Sequence, residues 1–491
     1  MARSEQEVRW KPYLFACALL LLAAASARFH GLSDRSLWLD EAFAANNSRG
    51  SLVDTVGNTQ QRNSSPIIYP LILQLALKID DSAASARMPS AVASLLAIVV
   101  LLSLPRVGID RRVAFLAALM LAFSSSQIRY AQEVREYSLA VFLATAMLYT
   151  YLLYCSERER KWPLTVTLLI APLVQYGLVL LGAAILVSIF AERWRKVSWR
   201  HALLGATPPA AAMAIGGGIS LWLTLRFQWR HTSAWYLESH FYGGNPTDLI
   251  SIGKFLLSNL YGLFSFVLPG SLVVGAAIPS LLVALHRETH GAASGFRELW
   301  LAAIALAVLA AAALAHVYPL GGIRQDLFVA PLIALVLATA YLSVSQSLSE
   351  PTNRSWLFGC SLLILISGGF DIKNNNPYRE VEDIKSVISG IESGASPEDP
   401  IYIYYGARPA IEFYRLEREG IFYGSMNRLN RENYISELSG WLDQKFSKVW
   451  LVFSHPYKDE ERYILDYLRE EWELTQQVKA TGASLYSATR R

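Results

Sequence analysis

Long apolar runs, separated by short polar or basic connections, recur along the first three quarters of the chain. A hydrocarbon core of about 30 Å takes roughly 20 helical residues, so this pattern predicts membrane-spanning helices. Eleven spans are expected, near residues 13–28, 87–105, 113–126, 137–155, 163–176, 178–191, 202–223, 264–285, 299–316, 326–345 and 355–370. Several are short for a span, which tilt accommodates. The apolar stretch from Pro66 to Ile79 (PIIYPLILQLALKI) reads as an interfacial helix along the outer leaflet.

Basic residues orient these spans. They cluster at Arg3, Arg9 and Lys11, at Arg106, Arg111 and Arg112, at Arg158, Arg160 and Lys161, at Arg193, Arg195, Lys196 and Arg200, at Arg287 and Arg297, and at Arg354. With eleven spans every cluster falls on the cytoplasmic side of an inner membrane, as the positive-inside rule requires. The basic start, the first apolar run and Ala25-Ser26-Ala27 resemble a cleavable signal peptide, but ten further spans follow and the segment reads as a retained first span.

After Phe370 the pattern changes: charged residues become frequent and no further spanning run occurs. An amphipathic stretch (YREVEDIKSVISGIE) precedes IYIYYG, another (ENYISELSGWLDQKF) precedes KVWLVFSH, and KDEERYILDYLREE precedes a last strand-like segment. This alternation predicts a small α/β sandwich with a mainly parallel sheet. The expected division is a membrane domain over 1–370 and a soluble α/β domain over 371–491, which span parity places outside the cytoplasm. No Gly-rich phosphate loop follows a strand there, so nucleotide binding gains no support; a structural cap and an acceptor dock both stay open.

Composition agrees with the pattern. Hydrophobic residues make up 53% and charged residues 17% of the 491, a poor match for a soluble multidomain protein. A formal charge of +4 on so long a chain gives no argument for a nucleic-acid partner. The three cysteines, Cys17, Cys155 and Cys360, lie in apolar runs where a thiol behaves as a small hydrophobe, and they carry no disulfide framework.

Ionisable groups at the ends of apolar spans are costly unless paired or functional, and the outer side is well supplied with them. The first outer loop carries Leu37-Trp38-Leu39-Asp40-Glu41-Ala42-Phe43. A carboxylate here can take a proton from an acceptor hydroxyl as that oxygen attacks an electrophilic carbon; Asp40 can equally be a helix N-cap. The second outer loop contains Arg129, Gln132, Glu133, Arg135 and Tyr137, which either form a polar cluster whose arginines reach lipid head groups or simply anchor a span at the interface. Arg324 follows Gly321-Gly322, where a guanidinium can grip phosphate or can mark the membrane boundary. The loop from Arg226 to Thr247, with His231, Trp235, Tyr236, His240 and Tyr242, suits sugar stacking as well as plain interfacial anchoring, and its histidines lack metal-ligand spacing.

Taken together, LWLDEAF, the segment from Pro66 to Leu73, SARMPSAVASLLA, SQIRYAQEVREY and the segment from Tyr318 to Pro331 resemble membrane glycosyltransferases of the GT-C fold. The chain is similar to protein O-mannosyltransferases and aminoarabinose lipid A transferases over about its first 370 residues. The resemblance implies a polytopic α-helical enzyme that moves a sugar, with inversion, from a polyprenyl-phosphate donor to a lipid, glycan or protein acceptor. It implies Asp40 as base, with Glu41 orienting the acceptor or an optional divalent cation, no cofactor being required. It also implies Tyr69, Arg129, Gln132, Glu133, Arg135, Tyr137 and Arg324 as substrate-binding residues, Arg324 meeting the donor phosphate. Relatives often carry His-Pro-Pro-Leu-Tyr before the interfacial helix; here Ser64-Ser65-Pro66-Ile67-Ile68-Tyr69 lacks the His and the first Pro. The competing classes are a glycolipid transporter or flippase, which calls for broken helices at the bilayer midplane and repeat symmetry, and a catalytically silent scaffold.

Overall fold

A computed structural model describes residues 2–62, 65–156, 161–228, 240–245, 247–289, 296–426, 432–442 and 446–491. The chain folds as two compact units. One comprises residues 1–30, 52–73 and 87–377; the other comprises 31–51, 74–86 and 378–491.

The first unit is helical. Among the described residues eight helices are long and apolar enough to cross a membrane: Lys11–Phe29, Ala83–Val107, Tyr137–Cys155, Trp199–Gln228, Leu249–Val267, Arg297–Leu314, Arg324–Ser345 and Glu350–Asn375. A ninth arises if Arg111–Phe123 and Ser125–Ala131, which meet at 65°, count as one broken span. The protein is an integral membrane protein. Leu14, Phe15, Leu19 and Leu22 on the first span, and Phe358, Leu362, Ile366 and Phe370 on the last, are exposed as lipid-facing side chains would be.

The expected span at 264–285 is corrected. Leu249–Val267 is a helix of its own, and Leu268-Pro269-Gly270 separates it from Ser271–Thr289, with Leu268 extended and Gly270 at φ 88°. The apolar run continues across the break, which hides it from a hydropathy window. The expected spans at 163–176 and 178–191 are helices Lys161–Val174 and Leu178–Trp194, of 14 and 17 residues. The count of eleven is therefore not reproduced, and parity alone no longer assigns a side to each connection. Ile68–Ile79 is a helix of 12 residues, about 18 Å long and well short of a bilayer core.

Polar groups tie the helices together. Arg28 is fully buried at the end of the first span. Its guanidinium donates to Ser94 Oγ at 2.8 Å, to the carbonyl oxygens of Leu121 and Ala122 at 2.9 and 3.2 Å, and to Ala24 O at 3.2 Å. Leu121 and Ala122 lie in the last turn of Arg111–Phe123, where four acceptors lack helical partners. Of the candidate spans among the described residues, Arg324–Ser345 is the most enclosed by the other helices.

The second unit contains a five-stranded sheet in the order β2-β1-β3-β5-β4, with β1 Ile401–Ile403, β2 Ile421–Tyr423, β3 Lys448–Ser454, β4 Trp472–Ala480 and β5 Ala483–Arg490. The sheet is mixed, not mainly parallel: β1 runs parallel to β2 and β3, whereas β5 is antiparallel to β3 and β4. The last strand-like segment is a hairpin closed by Thr481-Gly482, with Gly482 at φ 62°. Helices Ile384–Gly394, Arg408–Tyr414, Glu432–Leu442 and Glu460–Leu468 accompany it. Tyr402, Leu438, Leu451, Phe453 and Ile464 share one core. Within it the buried Glu460 carboxylate accepts from Tyr404, and from Tyr405 and Tyr434 at 3.3 Å. Burial and then this carboxylate push the Tyr404 phenol far above its ordinary pKa, so it remains a donor.

Arg28→Met leaves several carbonyls without their donor. It is expected to destabilise the purified protein by about 2–4 kcal/mol, seen as a lowered unfolding midpoint in detergent.

Candidate active site

In the first unit the candidates gather on the short connection between Ser125–Ala131 and Tyr137–Cys155, and on the turn that opens Arg324–Ser345. The bend before this connection is held by side chains: Asp371 Oδ2 accepts from Ser125 N at 2.9 Å, and Ser126 Oγ donates to Phe266 O at 2.6 Å. Gln132 Nε2 lies within hydrogen-bonding distance of the carbonyl oxygens of Ala27, Arg28 and His30, at 3.2, 3.2 and 2.8 Å. It thus staples the connection to the unsatisfied end of the first span. The buried Tyr69 hydroxyl is 2.9 Å from Ser90 Oγ, which donates to Arg135 O at 2.9 Å. Tyr69 and Gln132 are therefore built into the support of this connection, and so is the Arg135 backbone.

Three candidates meet. Arg324 Nη1 lies 3.7 Å from Glu133 Oε1, and its guanidinium carbon is 5.6 Å from the Tyr137 ring centroid. Tyr130 packs edge-on against Tyr137 at 5.5 Å. The Glu133 side chain is only 6% exposed and that of Arg324 is 28% exposed. The cation is therefore oriented by a buried carboxylate and an aromatic face while one side stays open. Arg129 is half-buried, and its side chain makes no hydrogen bond or ion pair among the described residues.

The turn before Arg324 requires its glycines. Gly321 and Gly322 have φ 145° and 75°, and both donate to Asp326 Oδ2, at 3.0 and 3.2 Å. A Cβ on Gly322 would lie 2.3 Å from Gly262 O, and one on Gly321 would lie 2.2 Å from Asn259 Oδ1. On the other side of Arg324, Gln325 O accepts from Gln175 Nε2 and from the Tyr318 hydroxyl, each at 2.9 Å.

In the second unit Asp40 and Glu41 occupy the first turn of helix Leu39–Asn47. The N-cap is Trp38, in an extended conformation and without a side-chain capping bond, so Asp40 does not cap this helix. Asp40 is partly exposed and Glu41 is buried. Asn46 Nδ2 donates to Pro409 O at 2.7 Å, and Arg49 Nε donates to Asp81 Oδ1 at 2.8 Å. Among the described residues no group of three His, Cys, Asp or Glu is placed to hold a metal ion.

Of the aromatic loop, residues 229–239 and 246, including His231, Trp235 and Tyr236, lie outside the described residues. His240 O accepts from Leu320 N at 3.1 Å, and Tyr242 packs against Phe255 at 5.6 Å. Sequence reasoning missed Arg28, Ser90, Gln175 and the turn-fixing role of Asp326. An arginine inside an apolar run was the available signal for Arg28; Gln175 and Ser90 gave none beyond a polar residue in apolar surroundings.

The architecture is that of the GT-C membrane glycosyltransferases. The chain is similar to ArnT from Cupriavidus metallidurans, solved bound to undecaprenyl phosphate, with a TM-score of 0.55 and 14% identity over 96% of this chain and 97% of that one. It is also similar to the archaeal oligosaccharyltransferase AglB from Archaeoglobus fulgidus, solved with an inhibitory peptide and a dolichol-phosphate, with a TM-score of 0.55 and 12% identity over 89% of this chain and 69% of that one. Residues 64–236 match the model of the dolichyl-phosphate-mannose-protein mannosyltransferase family. No curated protein matches the sequence significantly.

Asp326→Ala strands two glycine N–H groups and is expected to lower stability by about 1–3 kcal/mol. Asp326→Asn, which keeps one acceptor oxygen, recovers most of this in the same unfolding measurement.

Proposed function

We propose that the protein is an inverting glycosyltransferase of the cytoplasmic membrane that takes a sugar from a polyprenyl-phosphate carrier at the outer face. The reading is carried by Arg324, a partly open cation oriented by buried Glu133 and the Tyr137 ring at the mouth of an apolar helix. A polyprenyl tail is too apolar to leave the bilayer, so its phosphate must be met at the interface, which calls for such a group. The solved structures of ArnT with undecaprenyl phosphate and of AglB with a dolichol-phosphate support a donor of this class.

In the proposed reaction the acceptor hydroxyl gives its proton to Asp40 as its oxygen attacks the anomeric carbon. The bond from that carbon to the phosphate oxygen breaks on the opposite face, so the configuration inverts. The electron pair leaves on the polyprenyl phosphate, whose charge Arg324 and Arg129 neutralise. Arg135 holds its place in the connection beside Glu133. Glu41 orients the acceptor or a divalent cation. Phosphate is already a good leaving group, so no metal step is invoked. The acceptor is a lipid, glycan or protein.

Turnover is read as release of undecaprenyl phosphate from undecaprenyl-phosphate-linked mannose or aminoarabinose by the purified protein. Asp40→Asn is expected to lower kcat by about 10²–10⁴-fold with little change in donor KM. Arg324→Ala is expected to lower kcat/KM for the donor by about 10²-fold. Full turnover in Asp40→Asn would remove the base assignment; movement of intact glycolipid across proteoliposomes without sugar transfer would favour a flippase.

A further inference from the structure

The segment that leads into the Asp40 helix has its backbone donors taken by side chains of the C-terminal part of the chain. Ser36 N donates to Glu380 Oε1 at 2.8 Å, Leu37 N to the Tyr414 hydroxyl at 2.9 Å and Leu39 N to Glu382 Oε2 at 3.0 Å. Leu39 is the first residue of the helix, whose own N-cap residue supplies no side-chain bond. The cap comes from Glu382, a residue distant in sequence, and a carboxylate is the group a helix N-terminus prefers.

Glu382 is itself fixed. It is 2% exposed, its Oε2 also accepts from Ser454 Oγ at 3.1 Å, and its Oε1 lies 2.6 Å from His455 Nδ1. The neighbouring Asp383 N donates to Thr481 O at 2.8 Å in the β4–β5 turn. Trp38 approaches the His455 ring, with centroids 6.3 Å apart.

The location within the sheet gives this arrangement its meaning. After β1 the chain passes through Arg408–Tyr414 to β2 on one side, and after β3 it passes through Glu460–Leu468 to β4 on the other. The carboxyl ends of β1 and β3 therefore form a switch point, the crevice where open α/β sheets take their ligands. Ser454 and His455 lie at the end of β3, and the chain's own segment 36–39 reaches them through Glu382 and Trp38.

We propose that Glu382 is a positioning residue for the transfer reaction: it caps the Leu39–Asn47 helix from the C-terminal α/β unit and so sets the position of Asp40. This rests on Asp40 as the base. The crevice is used to hold the catalytic segment, which makes the C-terminal part of the chain a structural component of the active centre.

The test uses the full-length protein in detergent, with hydrogen–deuterium exchange of peptides spanning 36–44 and turnover of undecaprenyl-phosphate-linked mannose or aminoarabinose. Glu382→Ala is expected to speed exchange over 37–42 by about tenfold or more while β1, β3 and β5 stay protected. It is expected to lower kcat by about tenfold to a hundredfold with donor KM within twofold. Glu382→Gln keeps an acceptor oxygen for Leu39 and is expected to hold kcat within about threefold of the unaltered protein. Glu382→Asp, one methylene shorter, keeps the charge but draws the carboxylate back from Leu39, Ser454 and His455 together, Leu39 and Ser454 sharing Oε2. It is expected to speed exchange over 37–42 and to lower kcat about tenfold.

Unchanged exchange and kcat in Glu382→Asp overturn the proposal even if the alanine variant fails to fold. Retained turnover in Asp40→Asn overturns the base assignment, and with it the catalytic meaning of Glu382, while the exchange result still decides whether the cap exists.

Discussion

Inside a stack of apolar helices a hydrogen-bonding group has no water to turn to, and its partner must come from the protein. The polar architecture of the first unit follows from this constraint. Arg28 meets the carbonyls at the end of Arg111–Phe123, Gln132 meets those at the end of the first span, and Asp371 meets the amide that the bend at Ser124 leaves open. Each is a long-range bond that closes a helix terminus. Together they hold the connection that carries Glu133 to Tyr137, and Asp326, with its two glycine amides, shapes the turn that presents Arg324.

The second unit solves a related problem differently. Its sheet is small, yet two segments from the first hundred residues belong to it, 31–51 and 74–86. The segment around Asp40 buries Leu37 and Ala42 completely. It is ordered by backbone donors directed to Glu380, Tyr414 and Glu382. The carboxylates of the C-terminal part thus do for this loop what Gln132 and Asp371 do for the helix ends of the first unit.

The membrane class was legible because about 20 apolar residues in a row have few other uses in a protein. Most of the expected spans coincide with helices for that reason. The break at Leu268-Pro269-Gly270 was not, since hydropathy averages across a short apolar turn. In the α/β unit, β1, β3 and three helices were visible in the amphipathic alternation. The three-residue strand β2 is too short to declare itself, and the last segment, read as one strand, is the hairpin of β4 and β5. Among candidate site residues, Arg324 was singled out by the Gly-Gly turn before it, and the structure shows that turn shaped by Asp326. Gln132 and Tyr69 were singled out by motif, and the structure gives each a supporting contact that no local pattern encodes. Glu382 lies more than three hundred residues from the helix it caps, a distance over which sequence spacing says nothing.

The proposed sugar transfer then needs little further machinery: a base for the acceptor hydroxyl, a cation for the departing phosphate, and rigid supports for both. The measurement that addresses this account most directly is the anomeric configuration of the product formed by the purified protein from an undecaprenyl-phosphate-linked sugar of known configuration, determined by nuclear magnetic resonance. The account predicts a new glycosidic linkage of opposite configuration, formed together with one equivalent of undecaprenyl phosphate. A product of retained configuration would contradict it.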